Sequence, residues 1–190
     1  MQFISQLDVR SAFFAESIRS DFLTLFLKAI TYLGEWWFVL GVAAIVTIIF
    51  FSKKNRVRAF ILWLTVLGTT ADTFILKRII HRQRPFDALF SENTFSFPSA
   101  HSALSIALYG FIAYFFWQNA KNKISKILIL TTGIIFIALI GFSRLYLGAH
   151  YLSDVIGGYI LGALWLALGI YILKYRRRTS KLLDVRRRRD

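Results

Sequence analysis

Residues Val155–Leu173 read VIGGYILGALWLALGIYIL, nineteen positions without a charge, and the chain continues at once into KYRRRTSK at 174–181. A helix that crosses a bilayer needs about 20 predominantly apolar residues. A run of this length with a basic block behind it reads as a membrane span whose C-terminal end is cytoplasmic. Working back along the chain, uncharged runs recur at Ile127–Phe142, Ala103–Trp117 and Trp36–Phe51, and Ala59–Leu76 is interrupted only by Asp72. Short polar connections separate them. The expected fold is therefore all-α: an integral membrane helical bundle of five long spans in one domain, residues 34–174.

Composition supports that class. Of 190 residues 56% are hydrophobic and 18% charged, with a mean hydropathy of +0.55. Soluble domains are about a quarter charged. There is no cysteine, so disulfides, thiolate metal sites and thiol nucleophiles are excluded, and three histidines are too few for a histidine-rich metal centre. A net charge of +14 invites a nucleic-acid reading, but the cations are placed for a membrane. Lys53, Lys54, Arg56 and Arg58 fill one connection, Lys121, Lys123 and Lys126 another, and the basic tail, residues 175–190, follows the last span. Five alternating spans put all three on one face. By the positive-inside rule that face is cytoplasmic, and the connections 77–100 and 143–153 point outward. The expected partners are the bilayer and a lipid, with no nucleic acid.

Residues 1–33 stand apart. Phe14, Ile18, Phe22, Leu25, Phe26, Ala29 and Leu33 recur at helical spacing, while Glu16, Arg19, Asp21 and Lys28 take the other side. The pattern predicts an amphipathic helix on the outer surface, or a sixth, tilted span. It lacks the basic start and small-residue cleavage site of a signal peptide.

The chemistry gathers in the outward connections. KRIIHRQRP runs from Lys77 to Pro85, PSAH from Pro98 to His101, and SRLYLGAHYLSD from Ser143 to Asp154. Lys77 and Arg84 from one segment and Arg144 from another bring cations to one side of a bundle, where a bound anion would offset their repulsion. Ser99 follows a proline at a helix start, where backbone N–H groups and the helix dipole favour an anion. Tetrahedral phosphate fits, because guanidinium groups bind its oxygens in pairs. His150 and Asp154 are four apart, so a helix beginning near Ala149 would set them one turn apart on one face. The carboxylate would then accept a hydrogen bond from one ring N–H and leave the other nitrogen unprotonated and nucleophilic, with His101 available as an acid.

K-x6-RP, PS-x-H and SR-x5-H-x3-D, in that order and on one membrane face, resemble the type 2 phosphatidic acid phosphatase superfamily from about Thr31 to Leu173. The resemblance implies a metal-independent phosphatase, without cofactor, that works through a phosphohistidine. It assigns His150 as nucleophile, Asp154 as its orienting carboxylate and His101 as the proton donor. Lys77, Arg84, Ser99 and Arg144, with the backbone at Ala100 and His101, would hold the phosphoryl oxygens. Undecaprenyl pyrophosphate, phosphatidylglycerol phosphate and phosphatidic acid are the candidate substrates. A phosphotransferase passing the group to a hydroxyl acceptor is the alternative activity. Ala100 stands where the family usually has glycine, which costs nothing if the position takes ordinary helical dihedrals.

The remaining polar residues read as structural. Arg78 and Arg82 are expected as interfacial anchors and His81 as a neutral interfacial histidine. Asp72 is expected to pair with Lys77 or Arg78. Trp36, Trp37, Trp117 and Trp165 are expected to form an aromatic belt at span ends.

Overall fold

The computed structural model describes residues 2–85, 88–89 and 94–187; residues 188–190, the end of the expected tail, lie outside it. The described residues form α1 (Gln2–Ser17), α2 (Asp21–Tyr32), α3 (Trp36–Ser52), α4 (Arg56–Ile80), α5 (Ala100–Ser105), α6 (Phe111–Asn119), α7 (Lys123–Tyr146) and α8 (Leu152–Arg187). A π-helical turn, Ile106–Gly110, joins α5 to α6, so Ala100–Asn119 is one rod.

Among the described residues four segments are long and apolar enough to cross a membrane: Arg56–Ile80, Ala100–Asn119, Lys123–Tyr146 and Leu152–Thr179. The fifth differs from the expected uninterrupted span at Trp36–Phe51. At 17 residues α3 is about 26 Å long, short of the roughly 30 Å hydrocarbon core. Only together with α2, from which it bends by 51°, does it qualify as a span. The chain is a multi-pass membrane protein.

The N-terminal segment is not one helix either. A break at Ile18–Ser20 separates α1 from α2, because Ser20 adopts an extended conformation and caps α2 by accepting from the Leu23 N–H at 3.3 Å. The Ser20 N–H in turn donates to the Tyr146 hydroxyl at 2.9 Å, tying the break to the end of α7. Helix α2 buries Leu27 and Thr31 and leaves Phe22 and Leu25 80% and 72% exposed, an apolar face presented outward as lipid contact requires.

The core lies where α3, α4, α5, α6 and α8 meet, around Val39, Ala43, Phe50, Leu62, Val66, Leu104, Leu108 and Phe111. Two glycines of α8 set its approach to α5. A Cβ on Gly158 would strike the Ser99 carbonyl, and one on Gly162 the Ala103 carbonyl. Backbone therefore touches backbone at the level of the PSAH segment, which fixes the start of α5 against the first turns of α8.

Asp72 departs from expectation. It accepts from the Trp165 indole N–H at 2.9 Å, where Lys77 or Arg78 was the expected partner. Positions five or six apart on a helix face different directions, whereas three or four apart would have met. Trp165 is correspondingly a mid-helix residue packed beside Gly68, and not part of a belt.

The cationic connections do share one end. Arg58 lies 4.7 Å over the Phe115 ring and donates to Gln118, while Lys126 lies 5.1 Å over Trp117. The motif segments occupy the other end.

Candidate active site

Helix α4 ends in a left-handed residue, His81 (φ 50°), which turns the chain back over the bundle. Lys77, in its last turn, is buried and donates from Nζ to the Phe95 carbonyl and to that of Ser96 at 3.5 Å. Arg84 arrives on the irregular connection that follows. Its Nη1 donates to the Ala149 carbonyl at 2.8 Å and lies 3.2 Å from His150 Nε2, while Nε and Nη2 bind the Thr94 carbonyl and hydroxyl at 2.7 and 2.9 Å.

Ser99 caps α5. Its Oγ accepts from the Ser102 N–H at 3.4 Å and lies 3.0 Å from the Ser102 hydroxyl, fully buried, and its own N–H donates to the Asp154 carbonyl at 3.0 Å. Ala100 opens the helix with ordinary dihedrals; among the described non-glycine residues only Lys54 and His81 have positive φ. The expectation for that substitution holds. Ala needs no special backbone here, and the first-turn N–H groups lack intrahelical acceptors.

Between α7 and α8 the chain turns through Gly148 (φ 68°), and the N–H groups of Ala149 and His150 both donate to the Arg144 carbonyl, at 3.1 and 3.2 Å. Arg144 is fully buried and donates from Nη1 to Thr31 at 2.9 Å. Helix α8 begins at Leu152 and not near Ala149, so His150 sits in the turn ahead of the helix. The pairing survives by another route. Asp154 reaches back to the helix start, accepting the Tyr151 N–H on Oδ2 at 2.9 Å as in half of a capping box, and that oxygen lies 3.5 Å from His150 Nδ1.

A cavity of about 390 Å³ opens over these residues, walled by Gly34, Glu35, Trp36, Lys77, Arg84, Thr94, Ala100, His101, Leu104 and His150. Five of the eight motif residues, from three separate segments, thus share one wall; Asp154, Ser99 and Arg144 lie behind it.

The PAP2 superfamily pattern matches residues 57–178, which contain all three motifs. The chain belongs to the PAP2 superfamily. It is similar to phosphatidylglycerophosphatase B of Bacillus subtilis, 38% identical over 152 residues that cover 77% of this chain and 73% of that one. It also resembles the lipid A 4'-phosphatase of Bacteroides thetaiotaomicron, 30% identical over 85% of this chain and 75% of the relative. Among solved structures, the transmembrane PAP2-type phosphatidylglycerolphosphate phosphatase from Bacillus subtilis superposes with a TM-score of 0.85 at 30% identity, covering 92% of this chain and 88% of that one. LpxE of Aquifex aeolicus shares the fold, with a TM-score of 0.69 at 20% identity over 87% of this chain and 95% of that one. This PAP2 protein is thus a phosphatase of the membrane.

The electrostatics of this PAP2 site bear on His150 directly. Burial, reinforced by the positive charges of Arg144, Arg84 and Lys77, pushes the His150 imidazole well below its ordinary value, so the ring is neutral at pH 7. With an arginine N–H facing Nε2 and a carboxylate facing Nδ1, the network assigns the ring proton to Nδ1 and a lone pair to Nε2.

Other residues enter that the motifs do not contain. Arg82, expected as an anchor, donates from Nη1 to Asp154 Oδ1 at 2.6 Å and from Nη2 to Asp8 Oδ2 at 2.7 Å. Asp8 also accepts the Ser153 N–H and hydroxyl at 2.8 and 2.7 Å, so α1 caps α8 from outside. Glu35, in the break between α2 and α3, places Oε1 3.2 Å from His101 Nε2. Nothing in the local sequence marks Asp8 or Glu35, whose partners are far along the chain. Arg78 stays exposed against Phe74, and His81 stacks edge-on with Phe95 outside the cavity wall. Among the described residues no three His, Asp or Glu side chains converge as a metal site.

Proposed function

We propose that this PAP2 phosphatase hydrolyses a lipid phosphate, with residues 34–174 as the catalytic domain and the cavity facing the outer side of the membrane. The observation that carries the reading is the neutral, buried His150, its Nε2 directed at Arg84 and its Nδ1 at Asp154, beside a cavity walled by Lys77, Arg84 and His101. The names of two relatives, a phosphatidylglycerophosphatase and a lipid A phosphatase, support a lipid substrate. A site at the ends of the spans lies at headgroup depth, so substrate enters laterally.

In this reading the phosphoryl oxygens displace Arg84 from His150 and take up Lys77, Arg84 and the N–H groups of Ala100 and His101. Arg144 adds charge from behind, and Ser99 holds the helix start that presents those N–H groups. The Nε2 lone pair attacks phosphorus, the bond to the leaving oxygen breaks, and a proton from His101 goes to that oxygen. Water then attacks the phosphohistidine, gives its proton to His101 and releases phosphate with neutral His150. Positioning and charge neutralisation supply most of the acceleration in phosphoryl transfer.

Purified protein in detergent tests this with undecaprenyl pyrophosphate, phosphatidylglycerol phosphate and phosphatidic acid. Phosphate release is expected, with an acid-labile, alkali-stable phosphoenzyme on rapid quench. His150→Ala should abolish both while inserting and purifying normally, and Asp154→Asn should keep a residual rate. Turnover by the alanine variant would overturn the mechanism.

A further inference from the structure

Among the described residues Glu35 is the one carboxylate in the cavity wall. It comes from the α2–α3 break, outside the three motifs, and its Oε1 lies 3.2 Å from His101 Nε2. The His101 side chain is 9% exposed and that of Glu35 28%, so the contact sits at the inner edge of the cavity, with the carboxylate partly open to it. Gly34 permits the approach: a Cβ there would meet the His101 ring at 2.9 Å.

A carboxylate is costly at a site built for an anionic substrate. Lys77, Arg84 and Arg144 all raise the local positive potential, and that potential disfavours a proton on a neighbouring imidazole. An acid in such a place needs a compensating negative charge on one ring nitrogen so that the other can donate. In-line displacement sends the leaving group away from His150, toward the group that protonates it. Whatever the leaving oxygen carries therefore meets the side of the cavity on which Glu35 lies.

We propose that Glu35 is the positioning residue of His101: it anchors the Nε2 proton, keeps the ring charged for donation from Nδ1, and biases the site toward phosphomonoesters with alcohol leaving groups. This rests on the reading of His101 as acid. The step balances simply. The proton on Nδ1 passes to the departing alkoxide as the P–O bond breaks, Glu35 retains its contact with Nε2–H, and the ring is left neutral to accept a proton from water. An alkoxide leaves badly without that proton, whereas a diphosphate releases a phosphate that needs little help. A leaving phosphate is moreover an anion beside the Glu35 carboxylate and is repelled, while a leaving alcohol, once protonated, carries no charge.

The test uses the full-length protein in detergent with phosphatidic acid, a prenyl diphosphate and p-nitrophenyl phosphate, comparing wild type, E35Q, E35D, H101A and the E35Q/H101A double variant. General acid catalysis is worth roughly 10²–10⁴-fold where a proton is required. E35Q should therefore lose kcat/KM on phosphatidic acid by at least about tenfold more than on the diphosphate or on the aryl ester, whose leaving groups need no acid. E35D should recover part of the loss. In the double variant the E35Q loss should vanish, and the alkaline limb of the phosphatidic acid profile should move to lower pH in E35Q. Equal losses on all three substrates, or losses that multiply in the double variant, would overturn the proposal, as would wild-type kinetics in E35Q. If H101A itself loses equally on every substrate, the reading of His101 as acid fails first, and the role of Glu35 with it. A leaving-group-dependent H101A beside an unaffected E35Q refutes Glu35 alone.

Discussion

Arg82 Nη1 stands 2.6 Å from Asp154 Oδ1, on the opposite oxygen from the one that faces His150. Asp154 is fully buried, so its charge rests on Arg82, the Tyr151 N–H and the His150 ring. Arg82 spans to Asp8 through its other terminal nitrogen, which makes helix α1 part of the support of the site.

Arg82→Ala should therefore weaken both stability and turnover. Leaving a buried charged acceptor short of a partner costs about 1–3 kcal/mol or more. Loss of the outer partner of a functional group is worth about 10- to 100-fold, by the scale known for metal ligands. Arg82→Lys should recover only part, since an ammonium cannot reach both carboxylates as a fork. Thermal unfolding in detergent and kcat on one substrate check both, and Asp8→Asn should follow the same direction more weakly.

The depressed proton affinity of His150 has two consequences for pH. The neutral ring should persist below its ordinary value of 6.5, so the acid limb of kcat/KM for a substrate without its own titration there should fall below that value. Stability has the sign that follows from proton binding. The unfolded chain takes up the proton near the ordinary value and the folded chain only at lower pH, so stability declines as pH falls through that window. Wild type should lose more melting temperature between pH 7 and 5 than His150→Ala.

Gly162→Ala should destabilise the bundle by about 1–3 kcal/mol, because its methyl meets the Ala103 carbonyl and the α5–α8 contact must open. Activity should fall with it, since α5 carries His101. Gly41 has nothing within 4 Å of an added Cβ, and Gly41→Ala should be stabilising by about 0.5–1 kcal/mol. Melting curves of the two variants measure the difference.

Activity should survive EDTA, and vanadate should inhibit as a phosphate mimic that competes for Lys77, Arg84 and His150. Loss of turnover on chelation, restored by Mg²⁺, would contradict the phosphohistidine route.

The native chain has no cysteine, so topology can be probed cleanly. Leu89→Cys, at the cavity end, should react with an impermeant thiol reagent in intact cells, and Thr179→Cys, behind the last span, should be protected. The reverse pattern would put the cavity on the cytoplasmic face.

Much of this molecule is legible in one dimension. The apolar run Val155–Leu173 and its fellows specify membrane helices because the bilayer demands length and apolarity, which are local properties. The motif residues Lys77, Arg84, His101 and His150 are legible because phosphate chemistry restricts the side chains that serve it, and their converging walls bear on one cavity. What only the tertiary structure decided depends on partners far apart in sequence. Asp8 meets Arg82 and Ser153, Glu35 meets His101, and Asp72 meets Trp165, each pair joined by packing that no periodicity records. The same holds for backbone termini. Spacing alone set His150 and Asp154 on one helix, but the chain turns at Gly148 and starts α8 at Leu152, so the carboxylate reaches the histidine by capping the helix. Sequence fixes which groups are available and how far apart they lie along the chain; burial, charge and the close contact of α5 with α8 determine which of them meet.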